Sequence, residues 1–266
     1  MIKGKKLYEG KAKILYETND KDLLIQHFKD DATAFNNLKK ANVEGKGVLN
    51  NRISEHILLS LNSCGIKTHL IKRINMREQI IKHAEILPIE FIVRNIATGS
   101  LTKRLGIPEG TVLNKPLLEY CYKNDELSDP IIAKEHIYNF GWATEKEIKK
   151  IDQMSLRIND ILQGMFKAIG IKLVDFKVEF GKVWNKSKSD KEIVLADEIS
   201  PDTCRLWDSF HIAEKIPSSN KFGSLFNNFL ILEYSSIFKP CFSTVLFVIF
   251  ILFSLIDFQI DFYHYC

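Results

Sequence analysis

Residues 172–181 read Lys172-Leu-Val-Asp-Phe-Lys-Val-Glu-Phe-Gly181, an alternation that is strict from Val174 to Phe180. Side chains two apart on a strand share a face. Val174, Phe176, Val178 and Phe180 therefore point one way, and Asp175, Lys177 and Glu179 the other. Upstream, Thr144 to Ile169 reads as the clearest helix of the chain. Thr144 and Glu147 have capping-box spacing, and Ile148, Ile151, Ile158, Ile161, Leu162, Met165 and Ile169 form one apolar stripe that Gly170 ends. Downstream, a polar turn over 185–190 leads to a second strand, Glu192 to Ile199, which completes a hairpin. The charged side of that hairpin is either a solvated face or the lining of a site.

Further out, the chain opens with short strands at Lys6–Glu9, Lys13–Glu17 and Leu23–Phe28. A helix follows from Val48 to Ser63, with Leu49, Ile53, Ile57 and Leu61 every fourth residue and Gly65 just past its end. Ile86 to Val93 reads as a buried strand. Strands and helices mixed without a regular βαβ rhythm predict an α+β fold.

The 266 residues are 45% hydrophobic and 26% charged, an ordinary globular balance that allows one or two domains. With 37 basic against 33 acidic residues the net charge is only +4, which argues against a nucleic-acid binder. The five cysteines are scattered, with no CxxC pair, and none of the seven histidines has metal-ligand spacing. Reduced thiols in a cytoplasmic protein are expected. The opening residues lack the apolar core of a signal peptide.

Three constellations carry candidate chemistry. In Glu9-Gly10-Lys11-Ala12-Lys13 the glycine allows close backbone approach, and Lys11 and Lys13, two apart, are expected on one face, where a polyphosphate would relieve their repulsion. A lysine-rich hairpin without a ligand is the plainer reading, and no P-loop is present. In Val93-Arg-Asn-Ile-Ala-Thr-Gly-Ser100, Arg94 ends an apolar strand and needs an anionic partner. Gly99-Ser100 opens a short helix suited to a phosphate monoester, or is simply a helix cap beside a surface basic pair. In the hairpin, Asp197 is expected on the face of Ile193, Leu195 and Ile199, where a cation must compensate it. With Glu179 it forms a candidate Mg²⁺ pair; a structural bridge from Asp197 to Lys177 is the alternative. Arg205 lies near that end.

In order and spacing, these segments resemble the phosphoribosylaminoimidazole-succinocarboxamide synthase (SAICAR synthetase) family over about residues 6–208. The resemblance rests on Leu7-Tyr-Glu-Gly-Lys-Ala-Lys13, Gly45-Lys-Gly47 with Asn50-Asn51, and Arg94-Asn…Gly-Ser100…Lys103-Arg104. It continues through Lys123-Asn-Asp125…Asp129-Pro130, the 173–181 strand, and Asp197-Glu-Ile-Ser-Pro-Asp…Arg205-Leu-Trp207. It implies two α+β portions, 1–84 for nucleotide and 85–210 for substrate and metal, with ATP in the cleft between them. Gly10, Lys11, Ala12 and Lys13 would cover the ATP phosphates, and Lys82 would lie beside the adenine. Glu179 and Asp197 would bind Mg²⁺. Arg94, Gly99, Ser100 and Arg205 would hold the substrate's phosphate and carboxylate. Glu90, Asp175 and Lys177 would contact the imidazole and reacting centre, with Asp129 contributing. Lys13, Lys177 and Asp175 are the catalytic candidates.

The implied reaction joins L-aspartate to carboxyaminoimidazole ribonucleotide through an acyl phosphate, in purine biosynthesis. Small molecules are the expected partners, with neither nucleic acid nor membrane, and a homo-oligomer is compatible with the sequence. Asn37 stands where many relatives have glycine. After Asp208 the resemblance ceases, and 211–266 is an atypical apolar tail with a charge-free run from Cys241 to Ile256. An altered reading frame, a lineage-specific tail packed on the core, or a membrane anchor would each account for it. An inactive nucleotide-binding relic is the alternative function.

Overall fold

A computed structural model describes residues 2–34, 39–185 and 187–208. Asn37 and the tail lie outside the described residues. In chain order the elements are β1 (Lys3–Glu9), β2 (Lys13–Thr18), β3 (Leu23–Phe28), β4 (Asp31–Ala34), β5 (Lys39–Asn42), α1 (Lys46–Ser63), β6 (Leu70–Arg73) and β7 (Glu78–Lys82). Then come β8 (Glu85–Ile96), α2 (Ser100–Leu105), β9 (Val112–Tyr122), β10 (Ile131–Ile132), α3 (Lys134–Asn139), α4 (Glu145–Lys167), β11 (Ile171–Trp184), β12 (Lys191–Ala196) and β13 (Cys204–Asp208). The mixed α+β class is as expected from the sequence.

Two antiparallel sheets organise these elements. The first has the order β1-β2-β3-β7-β6, and the second β10-β9-β8-β11-β12, while β4 and β5 pair separately. Strand β11 is long enough to share one edge between two partners: β12 pairs with its C-terminal part and β13 with its N-terminal part.

Alternation along β8 and β11 divides the second sheet into two chemically different faces. One face carries Ile89, Phe91, Val93, Phe176, Val178 and Phe180, all buried in the core cluster with Ile148, Ile151, Ile158 and Leu162 of α4. Phe91 meets Tyr120 and Phe180 edge-on, with centroids 5.6 and 5.2 Å apart, a favoured aromatic geometry. The capping box is present, with Glu147 N donating to the Thr144 hydroxyl (3.2 Å) and Thr144 N to the Glu147 carboxylate (2.8 Å). A register shift between Leu173 and Asp175 corrects the expected alternation at its start. Leu173 joins the core cluster, whereas Val174, equally buried, stands outside it. An extra residue at a bulge offsets the facing of everything before it.

Helix α1 begins at Gly45, in the left-handed region (φ 84°), with no side-chain cap of its own. The missing acceptor comes from Asp30, which takes hydrogen bonds from Gly47 N (2.8 Å) and Gly45 N (3.3 Å). Arg77 grips the same carboxylate through two nitrogens, at 2.6 and 2.8 Å. A carboxylate at a helix N-terminus also meets the positive end of the dipole. A side chain at 47 would put its Cβ 2.5 Å from the Phe28 carbonyl oxygen, so the close approach requires glycine.

Truncating Phe91 to alanine is expected to cost about 3–5 kcal/mol, read from the urea midpoint, because two ring contacts and buried area are lost together. Arg77 chiefly, with the amides of Gly47 and Gly45, holds the Asp30 carboxyl down at about 2, against its burial. A depressed folded value means that the unfolded chain binds more protons below the usual carboxylate range. Stability from this group is thus present above about pH 4 and is lost as pH falls toward about 2. In acid titrations followed by circular dichroism, Arg77→Met should flatten that part of the curve.

Candidate active site

The second face of the larger sheet is charged. Arg94 on β8 stands opposite Asp175 on β11, and Asp175 opposite Arg205 on β13. Arg94 is buried (4% exposed), and its anionic partners lie within the chain. Its Nη1 donates to Asp175 Oδ2 (2.8 Å), its Nε to Glu119 Oε2 (2.7 Å), and its Nη2 to the Ser100 hydroxyl (3.1 Å). Burial pushes the Asp175 carboxyl upward, opposed by Arg205 and Arg94. Arg205 Nη1 lies 3.4 Å from Asp175 Oδ2, an ion pair without a short hydrogen bond. Its guanidinium covers Gly99, where a Cβ would meet Nη1 at 2.8 Å and where φ is +58°. Gly99 itself is the N-cap of α2, without a side-chain cap bond, and Ser100 is the first helical residue. Arg94, Gly99, Ser100, Asp175 and Arg205 are therefore gathered in one place.

Further along the same face, Glu90 and Glu179 stand directly opposite one another. Lys177 Nζ donates to Glu90 Oε1 (2.7 Å), and Lys123 Nζ to both oxygens of Glu179 (2.6 Å each). Lys177 thus pairs with Glu90 and not with Asp197, which removes the bridge weighed from sequence. Burial alone would lower the Lys177 ammonium, but Glu90 raises it overall. Asp129 accepts from Asn124 N (2.9 Å) in a turn where Ser128 and Asp129 both have positive φ, 59° and 48°. Such backbone strain in consecutive non-glycine residues clusters at functional sites.

Asp197 is not on the strand face expected for it. Strand β12 ends at Ala196, and Asp197 adopts a left-handed conformation (φ 61°), which turns its carboxylate out of the apolar row. There it forms a close ion pair with Lys13, whose Nζ also lies 3.0 Å from Glu198 Oε2. Burial pushes the Glu198 carboxyl up, with Lys13 opposing. Lys46 and Asn50 of α1 bind Asp202 just beyond; Asn50 Nδ2 donates at 2.9 Å and Lys46 pairs closely. The N-terminal half of the chain thus contacts the 197–202 segment through three side chains.

Lys11 does not share the face of Lys13. Gly10 N bonds to the Lys13 carbonyl (2.8 Å), which folds Lys11 and Ala12 into a turn and breaks the alternation. Lys11 Nζ reaches Asp125 Oδ1 instead (2.9 Å), in the turn that carries Lys123. Lys82 ends β7, its N–H bonded to the His69 carbonyl (2.7 Å). Buried His69 is pushed down to about 3 by desolvation first and then by Lys13 and Lys82, so both lysines approach one region.

Comparison with known proteins shows the family. The family model described as SAICAR synthetase matches residues 6–221. The chain belongs to the SAICAR synthetase family. A phosphoribosylaminoimidazole-succinocarboxamide synthase from Pelagibacter ubique is 70% identical over 209 residues, covering 79% of this chain and 80% of the relative. The crystal structure of the corresponding synthase from Ehrlichia chaffeensis superposes with a TM-score of 0.75 at 52% identity, covering 78% of this chain and 86% of that one. A SAICAR synthetase solved in complex with ADP gives 0.72 at 48% identity, covering 77% and 84%. The family match runs past Asp208, where the resemblance read from sequence stopped.

Lys123, Glu119, Glu198, Lys46 and Asp202 join the charged pairs around the candidate residues, and no role was expected for them from sequence. Lys123, Glu198, Lys46 and Asp202 lie inside quoted motifs, so the signal was present without an assigned partner. Glu119 carried no local signal. An apolar depression of about 330 Å³, lined by Tyr122, Pro130, Ile132, His136, Phe140 and Trp142, contains none of these charged groups.

Lys13→Met should leave Glu198 without its direct ion-pair partner and destabilise the protein by about 3 kcal/mol, the low end for breaking a buried pair. Adding Glu198→Gln should restore most of that loss in urea titrations. Equal stability of the single and double variants would count against the pairing.

Proposed function

We propose that the chain ligates L-aspartate to the carboxylate of carboxyaminoimidazole ribonucleotide at the expense of ATP. The products are the succinocarboxamide, ADP and phosphate, a step of purine biosynthesis. The observation that carries this reading is the meeting of Lys13, from the smaller sheet, with Asp197 and Glu198 at the end of β12. It stands on membership of the SAICAR synthetase family. Residues 1–84 and 85–210 are taken as the nucleotide and substrate portions.

A substrate carboxylate is a poor acyl donor until its departing oxygen is phosphorylated. Bringing that carboxylate against a triphosphate needs cations held in advance, because fixed charges need no reorganisation during reaction. Lys13 and the amides of the Gly10–Ala12 turn are assigned to the ATP phosphates, and Lys82 to the adenine side. Lys11, turned toward Asp125 in this structure, is assigned to the same phosphates. Arg205, Ser100 and Gly99 are assigned to the ribose phosphate, with Arg94 held rigid behind them by Asp175 and Glu119. Glu90, Lys177, Asp175 and Asp129 would orient the imidazole, its carboxylate and the attacking amine. Positioning of this kind supplies much of the rate, and no covalent enzyme intermediate is required.

The donor chemistry of Glu179 and Asp197 fits Mg²⁺, a hard cation held by one or two carboxylates together with substrate phosphates. Glu90 and Glu179, buried and directly opposed, need compensating cations, which Lys177 and Lys123 supply in this structure. When bound, the metal would supply charge neutralisation for the triphosphate. Among the described residues no helix is long and apolar enough to cross a membrane. A cytoplasmic location belongs to the proposal. The inactive-relic alternative has no observation in its favour.

The test is aspartate-dependent ADP release in the presence of the imidazole nucleotide. Lys13→Ala and Asp197→Asn are each expected to lower the rate by about 100-fold or more. Near-normal turnover in either folded variant would overturn the assignment. Arg205→Ala should act chiefly on the KM of the imidazole substrate, through loss of a charge-assisted phosphate contact.

A further inference from the structure

Glu90 and Glu179 face each other across adjacent central strands, each only 6% exposed. Like charges directly opposite on a sheet repel, and burial strengthens the repulsion. Two lysines neutralise the pair, from different places. Lys177 belongs to β11 itself, two residues from Glu179, so the strand ladder fixes its backbone. Lys123 lies just past the end of β9, in the turn strained at Ser128 and Asp129, and its side chain is 41% exposed. It nevertheless engages both oxygens of Glu179, at 2.6 Å each. A carboxylate whose two oxygens are both given to one ammonium has little to offer a divalent cation.

We propose that Lys123 is a positioning residue acting as the built-in counter-cation of Glu179, held where a divalent cation would sit and displaced when that cation arrives. The inference rests on the reading of Glu179 as a metal ligand. Burying Glu179 opposite Glu90 without any cation would be costly, and the ammonium on a flexible stem removes that cost in the metal-free protein. Displacement leaves Lys123 free to face incoming anionic groups. In this structure the turn that carries it is tied to the β1–β2 turn through Lys11 and Asp125.

Mn²⁺ binding to the full chain without nucleotide, followed by paramagnetic resonance and calorimetry, tests the competition independently of turnover. Lys123→Met removes the competing ammonium and keeps the stem. It should bind Mn²⁺ about tenfold more tightly or better, since even one charge-assisted hydrogen bond no longer has to be broken. Lys123→Gln should tighten binding in the same direction and serves if the methionine variant fails to fold. Glu179→Gln should abolish the tight site in both backgrounds. Unchanged or weaker Mn²⁺ binding in a folded Lys123 variant, with Glu179→Gln still abolishing binding, would overturn the counter-cation role and leave the metal reading standing. Binding that survives Glu179→Gln would remove the metal assignment and this inference together.

Discussion

The charged face of β8 and β11 sets the terms for the rest of the molecule. Alternation puts Glu90 and Arg94 on one strand beside Asp175, Lys177 and Glu179 on the next, with aromatic and branched side chains behind them. The apolar side secures the sheet on α4. The charged side is stable only because each ion finds an opposite charge: Arg94 with Asp175 and Glu119, Lys177 with Glu90, Lys123 with Glu179. Unpaired, any of these groups would oppose folding, and removing one partner of a buried pair is the costly change. Fold and site are thus two faces of one layer.

The approach of Lys13 and α1 to residues 197–202 follows from the same need for neutralisation. Lys13 meets Asp197 and Glu198, and Lys46 with Asn50 meets Asp202. Helix α1 can present Lys46 there because Asp30 and Arg77 anchor its first turn from outside the helix.

What was legible in the sequence had short-range causes. The capping box at Thr144, the apolar stripe of α4 and the alternation after Asp175 depend on neighbours a few residues away, and all three are present. The charged cluster around Arg94 was also visible, as a guanidinium in need of an anion. Its partners were not, because Glu119 comes from β9 and Asp175 from β11, across distances no local pattern encodes. Two expectations failed through backbone turns. A hydrogen bond from Gly10 to Lys13 sends Lys11 away from Lys13, and a left-handed Asp197 ends its strand at Ala196, short of the Ile199 that alternation implied. Period-2 reasoning holds only while the chain stays extended.

Because Glu90 and Glu179 are cross-strand neighbours, the separation of their backbones is fixed by the hydrogen-bond ladder, not by loops or by how the two sheets lean together. That part of the charged face behaves as a ruler with a permanent gauge. The Lys13–Asp197 contact, by contrast, is made between side chains, and no strand ladder sets its length. A ligand that meets both strands therefore encounters one constant carboxylate spacing.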